Sequence, residues 1–312
     1  MFDAAGMRVM RAIADHGSYT AAASSLGYTQ PAISQMVRRL EQRSGTVLVE
    51  RIGRNVRLTE AGETLARHAV HVLAALDNAE AEVAAIAGLK AGRVRLMAFP
   101  SSSATVVPRA LAKVARAHPD VTIKFSEGEP AESLAAVREG SCDLAVAFTY
   151  EDSSARSRAD LLQGLDVIEM LVEPVLVALP AGHRLANDGV IGLAALSQDP
   201  WIAGCPQCRG HLLSLCDQAG FEPNVAFETE DYVAVLGLVA AGLGVALVPA
   251  LILQSVTHDG VVTAEISPAS RRSVQIVTTA DLRRVPAVAA TIEALLASAR
   301  ELGASTYPGK VR

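Results

Sequence analysis

Residues 18–45 read SYTAAASSLGYTQPAISQMVRRLEQRSG. Ser18, Tyr19 and Thr20 cap a short alanine-rich helix expected over 21–26, and Gly27-Tyr28-Thr29 makes a turn. Thr29 is the expected N-cap of the next helix. Pro31 falls in its first turn, where a missing N–H costs nothing. From Gln30 to about Arg43, Ile33, Met36, Val37 and Leu40 recur at i, i+3, i+4 and i+7, a stripe that packs inward. The opposite face shows Gln30, Ser34, Gln35, Arg38 and Gln42. Two short helices around a glycine turn, the second polar outward, make a helix-turn-helix. Glutamine matches adenine, and arginine matches guanine or phosphate. Gln30, Pro31, Ser34, Gln35 and Arg38 are therefore the expected DNA contacts.

Upstream, residues 3–15 form a first helix with Met7, Met10 and Ala14 on one face. Downstream, the strands 47–51 and 56–59 flank Gly53-Arg54-Asn55 as a hairpin, so Arg51, Arg54 and Arg57 make a basic wing for phosphates. Residues 1–60 carry eight arginines against Asp3, Asp15, Glu41, Glu50 and Glu60, a balance of +3, although the whole chain stands at −5. A basic head on an acidic body means that only the head meets a polyanion. A three-helix module with a solvated arginine face would share the helical pattern; charge and wing together favour double-stranded DNA.

A longer helix starts at Thr59-Glu60-Ala61-Gly62 and runs to about Gly88. Leu65, Ala69, Val72, Leu76, Ala79, Val83 and Ile86 follow each other at gaps of four and three, the a/d pattern of a two-helix seam. Leu65, Val72, Leu76, Val83 and Ile86 are the expected dimer contacts. The competing reading is a stripe packed on its own domain. Lys90-Ala91-Gly92 is the expected hinge, which divides the chain into a head 1–60, a linker helix 61–90 and a body 91–312.

The body alternates strands (93–99, 121–126, 143–149) with helices (to 117, 131–139), a β-α-β-α-β run with short connections and so a parallel sheet. The alternation returns with strands at 175–179, 201–203, 224–229, 245–248 and 274–278 and helices at 191–196, 210–219, 231–241 and 285–302. Tyr232–Leu253 is free of charge for about the length of a bilayer span, but Gly237, Gly242, Gly244 and Pro249 interrupt it. A helix followed by a buried strand explains it as well. Half of the 312 residues are apolar and only 4% aromatic, which excludes disordered and disulfide-framework classes and builds the core from Ala, Val and Leu. Residues 1–30 lack the apolar stretch of a secretory signal, and four cysteines is a sparse usage, so the expected location is cytoplasmic. No G-x-S-x-G, H-E-x-x-H or P-loop appears, so the expectation is not an enzyme and no cofactor.

The head motifs resemble those of the LysR-type transcriptional regulators: Ser18-Tyr19-Thr20-Ala21-Ala22, Leu26, Gln30-Pro31-Ala32-Ile33-Ser34, Arg39-Leu40-Glu41, Gly45, Leu48, Glu50-Arg51, Leu58-Thr59 and Ala61-Gly62. In the body, Ala240 to Val245 and Val248-Pro249 look like the family's second-subdomain core. Val49 departs from the pattern, which usually has Phe there. The resemblance implies a winged helix-turn-helix, a dimerising linker helix and an α/β effector domain of two Rossmann-like subdomains similar to periplasmic binding proteins. Here these would be 91–167 with 268–312, and 168–267. It implies a homodimer or homotetramer on a palindromic operator, a small-molecule effector held between the subdomains, and RNA polymerase as a further partner. One wall of the effector site would be Ser101, Ser102 and Ser103 at a helix N-terminus, suited to a carboxylate unless the serines merely cap the helix. The facing wall would be Thr149, Gly204, Cys205 and the run Glu228-Thr229-Glu230-Asp231, whose acids argue against a polyanionic effector.

Cys205-Pro206-Gln207-Cys208, with Cys216 eight residues on, opens a redox alternative. Thioredoxin-like enzymes carry CxxC after their first strand, unlike this chain. Zinc on Cys205, Cys208, His211 and Cys216 is awkward, because His211 and Cys216 lie on different sides of one helix. Peroxide-sensing members of the resembled family use a cysteine pair in this region, so Cys205, Cys208 and Cys216 are candidate redox residues. Buried small hydrophobes are the plainer expectation, and metabolite response ranks above oxidant sensing. An exported binding protein shares the body fold but gives the basic head no purpose.

Overall fold

The computed structural model describes residues 2–52, 55–86, 92–151 and 161–304. It divides into two compact units: Met1–Leu89 with Arg138–Ser141, and Lys90–Val137 with Cys142–Arg312.

In the first unit, α1 (Ala4–His16) is capped by the Asp3 carboxylate, which accepts from the Gly6 N–H, and α2 (Tyr19–Leu26) by the Ser18 hydroxyl, which accepts from Ala21. Gly27 ends α2 at φ +70, a left-handed turn that favours glycine. α3 (Gln30–Ser44) follows. Thr29 occupies its N-cap with an extended backbone, but its hydroxyl makes no cap bond, contrary to expectation. Ile33, Val37 and Leu40 of α3 bury against Val9, Met10 and Ile13 of α1, each contributing about 1.5–3 kcal/mol of apolar transfer. The hairpin β1 (Val49–Ile52) and β2 (Asn55–Leu58) pairs antiparallel. It is anchored by Glu41 Oε1, which accepts from the Leu48 and Val49 N–H groups at 3.0 and 3.2 Å. α4 (Glu60–Ile86) starts where Thr59 Oγ1 accepts from Gly62 N–H and donates to Val47 O. Any Cβ at Gly62 would lie 2.1 Å from the Leu48 carbonyl oxygen, so only glycine lets α4 start against the wing.

The second unit is built on one sheet. β3 (Gly92–Ala98), β4 (Val121–Glu127) and β5 (Leu144–Tyr150) are parallel, joined by α5 (Pro100–Ser103), α6 (Val106–Ala117) and α7 (Pro130–Arg138). All seven residues of β5 are buried, hence its unbroken apolar run. A second parallel set comprises β8 (Pro200–Ala203), β9 (Asn224–Glu228) and β10 (Val245–Pro249), with α8 (Pro206–Gln218) and α9 (Tyr232–Ala240) between them. Two long antiparallel strands, β6 (Asp166–Pro180) and β11 (Val261–Thr278), join the sets in the order β4-β3-β5-β11-β6-β10-β8-β9, and the short β7 (Val190–Gly192) pairs with β11. α10 (Pro286–Ala304) covers the first set. The expected strands 175–179 and 274–278 are thus the apolar segments of far longer strands. Polar residues such as Glu169, Glu173 and Arg271-Arg272 mask the rest. The expected subdomain cuts fall just inside β6 and in the irregular stretch of β11 between Glu265 and Ser270, where its pairing changes register. The expected helix 191–196 is instead β7 and a 3₁₀ turn, Leu193–Leu196. Among the described residues no helix is long and apolar enough to cross a membrane; Tyr232–Leu253 folds as α9, β10 and a 3₁₀ turn.

Candidate DNA-reading head and effector cleft

On α3 the inward stripe leaves Pro31, Gln35 and Arg38 exposed and Gln30 and Ser34 half-buried, one continuous polar face. Arg51 is exposed on β1. Arg54 lies outside the described residues. Arg57 differs from the expectation of a free phosphate clamp. The hairpin register places it opposite Glu50, and its Nη2 lies 2.6 Å from Glu50 Oε1. The expected seam on α4 divides. Leu65 belongs to the head's own core and Ala69 is fully buried, because the first turns of α4 pack on α1. Leu65 is therefore taken by the domain that carries it. Val72 and Val83 are exposed at 44% and 65%, and Leu76 is half-buried. The side chain of Ile86 lies outside the described residues.

In the second unit, the carboxyl ends of both parallel sets converge on a cavity of about 30 Å³. Glu129 follows β4, Tyr150 ends β5, Gly204 and Cys205 follow β8, Thr229 and Glu230 follow β9, and Pro249 ends β10. A wider opening of about 490 Å³ shares Glu230 and Tyr232 and adds Pro100, Ala104, Glu127 and Asp231. Asp231 caps α9 by accepting from the Val233 N–H at 2.8 Å, the structural role its position suggests.

Of the expected residues, Gly204, Cys205, Thr229 and Glu230 line the cavity and Asp231 its wider opening, whereas Ser101, Ser102, Ser103, Thr149 and Glu228 do not. Alternation along β5 turns Tyr150 to the cavity, whereas the Thr149 hydroxyl accepts from Gln275. Glu228 is exposed on the edge strand and ion-paired with Arg209 of α8 at 2.9 Å. Ser101 and Ser102 are fully buried. The Ser102 and Ser103 N–H groups both donate to Phe99 O, and their hydroxyls donate to Phe99 O and Ala98 O. The Ser102 and Ser103 donors turn back on Phe99 and Ala98, so these two serines do not form the expected anion cradle. The Ser101 hydroxyl accepts from Arg272 Nη2 at 2.5 Å.

Arg272 is 1% exposed and forms the hub of the site. Its Nε and Nη2 lie 2.8 and 2.7 Å from Glu173 Oε1, while Glu173 Oε2 accepts from the Leu251 N–H. The guanidinium stacks over Phe148 and Phe99, 4.5 and 4.8 Å from their centroids. One buried cation thus ties β11, β6, α5 and the turn after β10. Beside it, His211 stacks on Tyr150 at 3.6 Å and 8°, and its Nε2 is 2.8 Å from Ser270 Oγ.

The Cys205 and Cys208 sulfurs are 2.7 Å apart at the start of α8. The hydrogen bond with Cys205 holds the Cys208 thiol below its usual range, against its own burial, with Arg272 and Tyr150 acting in the same direction as Cys205. The same bond and burial push Cys205 far up. Cys216 is fully buried on the same intact helix, its thiol raised by burial to about 11. Eight helical residues put it about 12 Å along the axis from Cys208, beyond disulfide reach. Among the described residues no group of three or more His, Cys, Asp or Glu is placed to hold a metal ion. Glu129, Tyr150 and Tyr232 were not legible as site residues, since each lies at or beside the end of an ordinary element and carries no motif, and His211, weighed only as an awkward zinc ligand, lines the cavity from inside α8.

Residues 5–63 match the bacterial regulatory helix-turn-helix protein model of the lysR family, and residues 87–300 match the LysR substrate binding domain. A probable hydrogen peroxide-inducible genes activator of Mycobacterium avium is 33% identical over 254 residues, covering 78% of this chain and 77% of that protein. Full-length OxyR from Pseudomonas aeruginosa, bearing a cysteine-to-aspartate substitution, superposes with a TM-score of 0.69 at 21% identity over 96% of this chain and 95% of that one. Full-length CbnR complexed with its target DNA gives 0.66 at 21% identity over 95% and 100%. The chain belongs to the LysR family of bacterial helix-turn-helix transcriptional regulators.

Proposed function

We propose that this regulator reads a palindromic operator as a homo-oligomer through Gln30, Ser34, Gln35 and Arg38 of α3, with Arg51 and Arg54 on phosphates, and that a small molecule in the cleft changes that binding. The observation that supports the sensing role most is the convergence of both parallel sets, by their carboxyl ends, on one cavity between two half-sheets. Open α/β sheets bind ligands at that place. Val72, Leu76 and Val83 are the proposed seam to a second subunit. To test this, operator DNA is selected from random sequence with the full chain, then titrated in the presence of a small-molecule panel. Enrichment of an inverted repeat with half-sites about one helical turn or a multiple apart supports the reading. A response to a panel member that disappears in the cavity-filling variant Ala203→Met supports the cleft. Recovery of unenriched DNA defeats the reading.

The 2.7 Å sulfur contact favours a second reading, in which the effector is an oxidant. A peroxide would take two electrons from Cys208 and Cys205, the S–H bonds being replaced by one S–S bond and the peroxide leaving as two molecules of water or as water and an alcohol. A relative named for hydrogen peroxide induction adds weight. Stoichiometric peroxide followed by disulfide mapping decides. A Cys205–Cys208 bond that alters operator affinity, and is lost in Cys208→Ser, selects the oxidant.

A further inference from the structure

The cleft is lined by acid on both sides. Glu127 and Glu129 come from the end of β4, and Glu230 and Asp231 from the turn after β9. No lysine or arginine lines either the cavity or its opening among the described residues. The nearby cation, Arg272, is buried and directs its guanidinium to Glu173 and Ser101. The Ser102 and Ser103 N–H groups already donate to Phe99 O. His211 is stacked on Tyr150 and bonded to Ser270. Among the described residues, an anion entering this space would therefore find like charge on both walls and no cationic side chain lining it.

The floor carries the opposite signal. Glu129 Oε2 is buried in the described structure with no hydrogen-bond partner. A buried acceptor without a donor is uncommon in a folded chain, and a ligand that donates to it removes the penalty. Burial also holds the Glu129 carboxyl above its ordinary range; a hydrogen bond with the Cys205 thiol and the charge of Arg272 act against that rise, while Glu230 and Glu127 add to it. The Tyr150 and Tyr232 rings beside it give an apolar and π-rich surface of the kind that accommodates an ammonium group.

We propose that the cleft takes a small organic cation, an amine whose ammonium group donates to Glu129 and is held by Glu230 across the opening. This rests on the reading of the cleft as the effector site, and it excludes the carboxylate that the serine run suggests.

Three probes of one chain length separate the classes: putrescine, succinate and butanediol, each titrated calorimetrically into the full chain. Monoamines, longer polyamines and guanidines extend the amine arm. Saturable binding of an amine is expected, weakened at least tenfold in Glu129→Gln and in Glu230→Gln and unchanged in Glu228→Gln, which lies outside the cavity. Succinate binding in place of amines, or amine affinity untouched by Glu129→Gln, overturns the inference. If no amine binds, the inference falls. In that case binding of succinate or butanediol that Ala203→Met abolishes keeps the cleft as an effector site, and silence from all three classes removes both.

Discussion

The two units handle their arginines in opposite ways. In the head, Arg38 and Arg51 are exposed around a core of Val, Ile, Leu and Met, so the charge is available to an outside polyanion. In the body, Arg272 is buried under two phenylalanines and bonded to Glu173 and Ser101, so its charge is spent on partners inside the chain. A contact surface and a structural hub thus use the same side chain, and the difference lies in whether its partners are supplied inside the chain. The head can lose an arginine and still fold. The body cannot, because Glu173 would be left buried and unpaired.

The largest effect expected from this contrast is therefore at the hub. Arg272→Met removes one partner of a buried pair and should cost about 3–5 kcal/mol of stability. Urea denaturation of the full chain, with the body followed by Trp201 fluorescence, measures it. The double variant Arg272→Met/Glu173→Leu should recover much of the loss, because both charges then leave the interior together. A loss no larger than that of the exposed Arg209→Ala would break the comparison.

Helix α4 sharpens the same distinction within a single element. Leu65→Glu places a charge in the head's own core and should unfold the head. Val83→Glu changes a side chain that is 65% exposed, so the monomer should fold normally and self-association should weaken about tenfold or more, equivalent to about 1.4 kcal/mol. Sedimentation across a concentration series separates these outcomes. An unchanged assembly in Val83→Glu would place the seam elsewhere.

The same contrast explains what could be read before the fold was known. The head is legible because its elements are local: a cap at Ser18, a turn at Gly27 and a stripe on α3 each lie within a few residues of what they organise. Even there, Glu41 bonding to Leu48 and Val49 went unread, because no periodicity marks a carboxylate that folds back on the following loop. In the body the parallel units were legible from alternation, but the lengths of β6 and β11 were not. Their polar halves look like loop until the two strands pair with each other and β5 pairs with β11. The cleft was misread at Thr149 by one residue of strand alternation. It was misread at Ser102 and Ser103 because a serine run before a helix shows the donors and hides the acceptors they meet. Glu173 and Arg272 lie 99 residues apart, a separation that local pattern does not bridge.

On DNA, Gln30→Ala should cost about 1–3 kcal/mol on the selected operator and much less on random sequence, since a base contact carries discrimination and a phosphate contact does not. Competition binding at fixed salt measures both. Equal losses on the two DNAs would reduce Gln30 to a packing role, consistent with its half-buried position.

The smallest effect expected is on the wing, where pairing decides the rank of two arginines on facing strands, one register position apart. Arg51 is exposed on β1, and Arg57 is held by Glu50 on the facing strand at 2.6 Å. To reach a phosphate, Arg57 must first leave Glu50. An exposed pair of this kind is worth only about 0–1 kcal/mol, so the exchange is close to neutral. Arg51→Ala should therefore weaken operator and random DNA alike and reduce the salt slope by about one. Arg57→Ala should do less than half as much. Glu50→Gln frees Arg57 without moving the hairpin, and should raise affinity for both DNAs by a few tenths of a kcal/mol at low salt, with the gain vanishing as salt screens the wing. If Arg57→Ala proves the more damaging of the two, or Glu50→Gln lowers affinity, the pair is an orienting clamp that holds Arg57 toward the phosphate and not a competitor for it.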